Sequence, residues 1–141
     1  MIAVDTNVLL RRVLNDDAEQ SAKARRLFEG SAAVLITDVV LAEAVWTLAG
    51  RRYGATKGDI RELVMSLMEE PNIMFEDRQA VWSALNDFDT AKPVKTADGM
   101  KSADFADALV VNKAKRLYRD EYEGTYTFDR AAQEIPGTKT P

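Results

Sequence analysis

Cysteine and histidine are both absent from the 141 residues, and the two absences remove whole classes of chemistry. Without cysteine there is no disulfide, no thiolate nucleophile and no cysteine-type zinc site. Without histidine the commonest general base and the commonest transition-metal ligand are gone. Long apolar runs are missing too. The longest, Ala32 to Ile36, has five residues, whereas a membrane-spanning helix needs about 20. Met1 leads into Ile-Ala-Val-Asp with no basic segment and no cleavage site, so no signal peptide is read and a cytoplasmic location is expected. The net charge is −4, which is not the footprint of a chain that grips nucleic acid nonspecifically. It is compatible with an acidic metal pocket beside local basic patches.

What remains is an ordinary globular composition, 46% apolar and 30% charged. The length suits one domain, here expected over residues 1–135, with a frayed tail from Pro136 to Pro141. Ile2-Ala3-Val4 reads as a buried strand that stops at Asp5, with a helix starting immediately afterwards. Helices are expected over Asp16–Gly30, Val39–Tyr53, Thr56–Glu70, Arg78–Phe88 and Ser102–Tyr118, bounded by caps, glycines and Pro71, with Leu27 and Phe28 on the apolar face of the first and Phe105, Leu109, Val111 and Leu117 on that of the last. Further strands are expected over Ala32–Thr37, Ile73–Phe75 and Tyr126–Phe128. Residues 90–101, with Pro, Gly, Thr and three lysines, read as the main loop. Short strands alternating with longer helices indicate an α/β fold around a mostly parallel sheet. In such folds ligands bind outside the carboxyl ends of the strands, and Asp5, Asp38 and Asp129 each stand at or just beyond such an end.

The candidate chemical residues are Asp5, Glu43, Asp104, Asp107 and Asp129. Each has a structural alternative. Asp5 and Asp129 are good capping residues. Glu43 could be the polar position of an amphipathic helix, although Val39 to Ala42 and Ala44 to Trp46 leave it little polar company. Asp104 and Asp107 stand three apart, a spacing that puts two helical residues on one face or, near an N-terminus, complements the helix dipole. A fold that gathers several carboxylates needs something to neutralise them. With no His or Cys, that is a hard cation, Mg²⁺ or Mn²⁺. The basic residues come in pairs, Arg11-Arg12, Arg25-Arg26 and Arg51-Arg52. The first pair follows Asp5 closely enough to hold phosphates, or to be plain solvated surface.

The stretches "IAVDTNVLLR", "TDVVLAEAVWTL", "SADFADALVVNKAK" and "TYTFDRAA" resemble, in order and spacing, the four acidic motifs of PIN domains, and among these the VapC toxins of toxin–antitoxin pairs. The resemblance covers about residues 1 to 135. It implies an α/β/α sandwich, a homodimer, hydrolysis of RNA by a metal-activated water, and a cognate antitoxin. By the same resemblance Asp5 and Glu43 are the first and second metal-binding acids, and Asp107 or Asp104 the third. Asp129 is the fourth, while Asn7 and Thr127 are the polar residues that orient the carboxylates. The family's final edge strand has only Glu134-Ile135 before Pro136 to supply it. Trp46, Leu48 and Tyr53 follow Glu43 with more large side chains than one core face needs, so they fill either the core or a groove for an antitoxin helix. The rival readings are a housekeeping RNA-processing nuclease and a catalytically silent module that binds RNA or protein.

Overall fold

The computed structural model describes residues 1–141. Contacts cluster into two compact units, Met1–Arg78 and Gln79–Pro141. The first unit holds a three-stranded parallel sheet in the order β1 (Ile2–Ala3), β2 (Val34–Ile36), β3 (Ile73–Phe75). Ile2 faces Val34, and Val34 faces Ile73. Parallel neighbours require long crossovers. Here α1 (Thr6–Leu14) and α2 (Ala18–Phe28) make the first, and α3 (Asp38–Ala49) and α4 (Lys57–Glu69) the second. Val34 and Ile36 are both fully buried, which is why this central strand reads as an unbroken apolar run.

The helix boundaries follow from local chemistry. Asp17 caps α2 through a bond from Gln20 N–H, and Thr56 caps α4 in a full capping box with Asp59. Asp5 caps α1, accepting from Val8 N–H at 2.9 Å. Leu27, expected on the buried side of α2, is exposed, because the stripe that faces the core is Ser21, Ala24 and Phe28. Arg11 and Arg12 are not held out for phosphates. Arg11 pairs with Asp16 at 2.9 Å, while Arg12 pairs with Glu70 at 2.5 Å and lies over the Phe28 ring.

The second unit contains α5 (Arg78–Thr90, whose first residue belongs to the first unit), a hairpin, α6 (Phe105–Tyr118) and a two-stranded parallel pair. The expected loop at 90–101 is in part this hairpin, β4 (Val94–Thr96) and β5 (Gly99–Lys101), joined at Ala97-Asp98. Gly99 takes φ of +104°, a conformation that favours glycine at a tight turn. Helix α6 buries Phe105, Ala108, Leu109, Val111 and Asn112. Leu117, expected on that face, is 65% exposed. The buried Asn112 donates to Asp87 at 2.8 Å and to the Ala108 carbonyl at 2.9 Å, so its amide is satisfied.

The expected frayed tail is held in place. β6 (Thr125–Tyr126) pairs with β7 (Thr138–Lys139), a very short strand that begins after Pro136 rather than at Glu134-Ile135. Gly137 makes the pairing possible: its φ is +105°, and a Cβ there would lie 2.5 Å from Lys115 Cε. Lys115 in turn donates to the Pro136 carbonyl.

Candidate active site

In the first unit the carboxyl ends of three parallel strands deliver polar residues to one end of the sheet. Asp5 follows β1, Thr37-Asp38 follow β2 and Glu76 follows β3. Asp5 uses Oδ1 to cap α1, and its other oxygen accepts no hydrogen bond. Thr6, the first residue of that helix, donates its hydroxyl to Glu43 Oε2 at 2.6 Å. This is a short bond to a charged acceptor, stronger than a neutral pair. It ties the N-terminus of α1 to the second turn of α3 and thereby brings Asp5 and Glu43 into one neighbourhood. Glu43 is exposed rather than embedded, since the core stripe of α3 runs through Leu41, Ala44, Val45 and Leu48. Thr6 and Glu76 are additions that sequence reasoning missed. Glu76 accepts from the Asp38 backbone N–H at the start of α3. Its signal was its place directly after a buried strand, the argument that found Asp5. Asn7 is exposed and makes no side-chain hydrogen bond to the carboxylates.

In the second unit Asp104 is the N-cap of α6 and Asp107 its third residue. The two form a capping-box arrangement in which Asp104 N–H donates to Asp107 Oδ2 at 2.9 Å. Asp104 therefore lies outside the helix, so the pair is a cap and its partner rather than two rungs of one helical face. Asp129 follows β6 and accepts at one oxygen, Oδ1, from Ala131 N–H at 2.8 Å and Ala132 N–H at 3.1 Å. Thr127 Oγ1 accepts from Asp129 N–H at 3.0 Å, so it positions the backbone of that acid.

These three carboxylates feel one another. Burial and then the charge of Asp129 push the Asp104 carboxyl above its ordinary value, with Lys101 pulling the other way. Burial also pushes Asp107 up, reinforced by Asp104 and Asp129 and opposed by the backbone bond from Asp104. Ionised together, Asp104 and Asp107 are a strained pair.

The structural and chemical readings of the acids turn out to be compatible. Asp5, Asp107 and Asp129 each cap a helix or turn with one oxygen and keep the other open. Oxygen-only donors of this kind suit a hard divalent cation. No three of them are drawn close enough in the structure to hold an ion together. No helix is long and apolar enough to cross a membrane.

The comparison with known families covers the segments that carry Asp5, Glu43, Asp104 and Asp107 and stops before Asp129. The family model of the PIN domain matches residues 2–121 and so runs through both units. No curated protein matches the chain.

Proposed function

The chain belongs to the PIN-domain family, whose members are generally nucleases, and from that premise we propose that it is a metal-dependent endoribonuclease. Its working acids in this reading are Asp5, Glu43, Asp104, Asp107 and Asp129. The observation that carries the reading is the set of half-open carboxylates: Asp5, Asp107 and Asp129 each accept a backbone bond at one oxygen and keep the other open. Such oxygen-only donors suit a hard cation, which would also relieve the repulsion between Asp104 and Asp107.

When bound, Mg²⁺ or Mn²⁺ supplies an acidified water and charge stabilisation at the phosphoryl group. The protein's own part is positional. Asp5 and Asp129 are fixed by the backbone bonds each accepts at one oxygen, so the remaining oxygen is presented in a defined direction. Thr6 clamps Glu43 Oε2 and leaves Oε1 for the ion or the attacking water. Thr127 sets the turn that carries Asp129.

Within this reading the chain is the toxin of a cytoplasmic toxin–antitoxin pair and works as a homodimer. Val39 and Trp46 support a protein partner, being 66% and 72% exposed on α3. Leu48 is in the core and Tyr53 is half-buried, so of the three large residues singled out only Trp46 offers itself fully. The deciding experiment incubates labelled RNA with the full chain in Mg²⁺, in Mn²⁺ and in EDTA. Cleavage lost in EDTA and in Asp5→Asn supports the reading, and undiminished cleavage in chelator overturns the metal. Growth arrest on expression alone, relieved by the adjacent open reading frame, tests the toxin role.

A further inference from the structure

In the sheet of the first unit β3 is an outer strand. It stands last in the order β1-β2-β3 and pairs with β2 alone. Val34 N–H donates to the Asn72 carbonyl at 2.8 Å, with Val34 facing Ile73. In a parallel ladder every second residue bonds to a given neighbour. Asn72 and Met74 therefore turn their backbone groups to β2, while Ile73 and Phe75 turn theirs outward. Ile73 N–H donates to the Glu70 carbonyl at 3.2 Å. The carbonyl of Ile73 and both backbone groups of Phe75 have no partner in the fold. Native sheets defend such an edge with lysine, proline or a bulge. Ile73-Met74-Phe75 carries none of these, and only its shortness and Pro71 ahead of it limit what can pair there.

A hollow of about 320 Å³ opens beside this edge, lined in part by Met68, Glu69, Pro71, Met74, Phe75 and Arg78. All six belong to the first unit. Met74 is 44% exposed, while Ile73 and Phe75 on either side of it are buried. The volume is at the lower limit of small-molecule pockets, roughly 300–1,000 Å³. An extended chain fits better than a compact ligand, because its own N–H and C=O groups answer the unpaired row of the edge. Acids flank the strand. Glu69 and Glu70 precede it, Glu76 and Asp77 follow it, and no lysine or arginine stands from 69 to 77. Arg12 takes Glu70 and the Met68 carbonyl takes Arg78, whereas Glu69 is exposed and in no ion pair. Glu76 accepts from Asp38 N–H with Oε2 and keeps Oε1 open.

We propose that β3 receives an extended segment of a second protein as a further strand, a short aliphatic run with lysine or arginine at both ends. Its backbone meets Ile73 and Phe75, its central side chain enters the hollow beside Met68 and Met74, and its cations lie at Glu69 and Glu76. In this mode main-chain bonds supply affinity and the seated side chain supplies selection. A second copy of the chain is a poor occupant. Two β3 edges meeting about a twofold axis would set the acids before one strand against those after the other, and like charges placed opposite each other destabilise a strand pair. None of the acids proposed to act on RNA lines the hollow, so the proposal stands apart from the nuclease reading.

The probe is the peptide acetyl-Lys-Lys-Val-Leu-Val-Lys-Lys-amide, titrated into the full isotope-labelled chain and followed by NMR. At a peptide concentration about ten times Kd, amide exchange at Phe75 is expected to slow about tenfold, with Met74, already bonded to β2, unchanged. The same peptide N-methylated at its valines and leucine cannot donate to the edge. It is expected to bind about 5- to 30-fold more weakly, for the one or two bonds lost. Glu69→Lys is expected to weaken the parent peptide about 2- to 5-fold, the scale of an exposed ion pair. Met74→Lys installs the residue that native edges use to refuse a strand and is expected to cost about tenfold or more. Equal affinity of the parent and N-methylated peptides overturns the proposal, because a groove that needs no edge bonds is a different site. Unchanged exchange at Phe75 under saturation overturns it too, as does no measurable binding by wild type at millimolar peptide. Self-association of the chain alone in sedimentation, abolished by Met74→Lys, also overturns it, because the occupant would then be a second copy. Should Met74→Lys fail to fold, the two peptides decide the matter on wild type.

Discussion

Asp107→Asn is the most informative single change, because opposing effects meet at one atom group. The substitution removes a charge felt alongside those of Asp104 and Asp129, and it retains an oxygen that accepts the 2.9 Å bond from Asp104 N–H. Two carboxylates roughly 4–8 Å apart repel by roughly 2–4 kcal/mol at an effective dielectric near 20. Partial exposure to water and salt lowers this to about 1 kcal/mol. Against that relief stand a weaker hydrogen bond to a neutral amide and the loss of a negative charge in the first turn of α6, each about 0.5–1 kcal/mol. The Asp107 carboxyl is nonetheless raised, so its surroundings disfavour the ionised form even with the backbone bond included. Burial, the largest cause of that rise, adds to the like-charge relief, and together they outweigh the two losses. At pH 7 in EDTA, Asp107→Asn is expected to be more stable than wild type by about 0.5–1 kcal/mol, a rise in melting temperature of about 2–5 °C. The pH dependence has a definite sign. A carboxyl raised in the folded state keeps its proton longer than in the unfolded chain. Wild type should therefore lose stability as pH rises from the ordinary carboxylate value through the raised one, and the variant should lose less. Melts in EDTA at pH 3.5 and pH 7 compare the two. A variant less stable than wild type at pH 7 would show that Asp107 serves chiefly as a cap, and the argument from its like-charge strain with Asp104 would fall with it.

Asp5 behaves differently in this account. Asn caps a helix about as well as Asp, so Asp5→Asn should leave the melt in EDTA within about 0.5 kcal/mol while cleavage falls by well over tenfold, about the least that loss of metal-supplied stabilisation should cost. Thr6→Val removes the 2.6 Å bond to Glu43. As Thr6 positions rather than reacts, the expected loss is severalfold in kcat with KM little changed, and Thr6→Ser should restore it. Trp46→Ala and Leu48→Ala separate surface from core on one helix. The first should leave stability within about 0.5 kcal/mol, and the second should cost about 2–5 kcal/mol, both read by thermal or denaturant melts. An equal cost for the two would place Trp46 in packing that its 72% exposure does not show.

Most of the architecture was legible because apolar pattern and caps agree. Pro71, Gly30 and the capping residues Asp17 and Thr56 set the ends of α2 and α4 to within a residue or two. Strand ends marked Asp5 and Asp129 as chemical residues for the same reason. The hairpin at 94–101 escaped because much of it is exposed. With no buried face it shows no hydrophobic alternation, although Asp98-Gly99 after Val-Lys-Thr is a turn signal in itself. Leu27 and Leu117 were placed inside on hydrophobicity, yet each falls off the core-facing stripe of its helix. Glu43 was judged from its apolar neighbours, when what matters is its distance from Thr6 across the fold, and no local window records that. The tail was read from its prolines alone. Its strand depends on a pairing that opens with Thr125 N–H bonded to the carbonyl of Gly137, twelve residues on.

That pairing gives the end of the chain a mechanical duty. The carbonyls of Gly137 and Lys139 hold the backbone of Thr125 and Thr127, and Thr127 in turn holds the N–H of Asp129. Residues with no chemistry of their own thus act as a splint for a residue proposed to have it. A protease that nicked the chain after Ile135 would leave every acid in the sequence and still slacken the turn that aims Asp129. An affinity tag fused at Pro141 hangs two residues from the same splint, so a weakly active preparation tagged there reports on the tag before it reports on the enzyme.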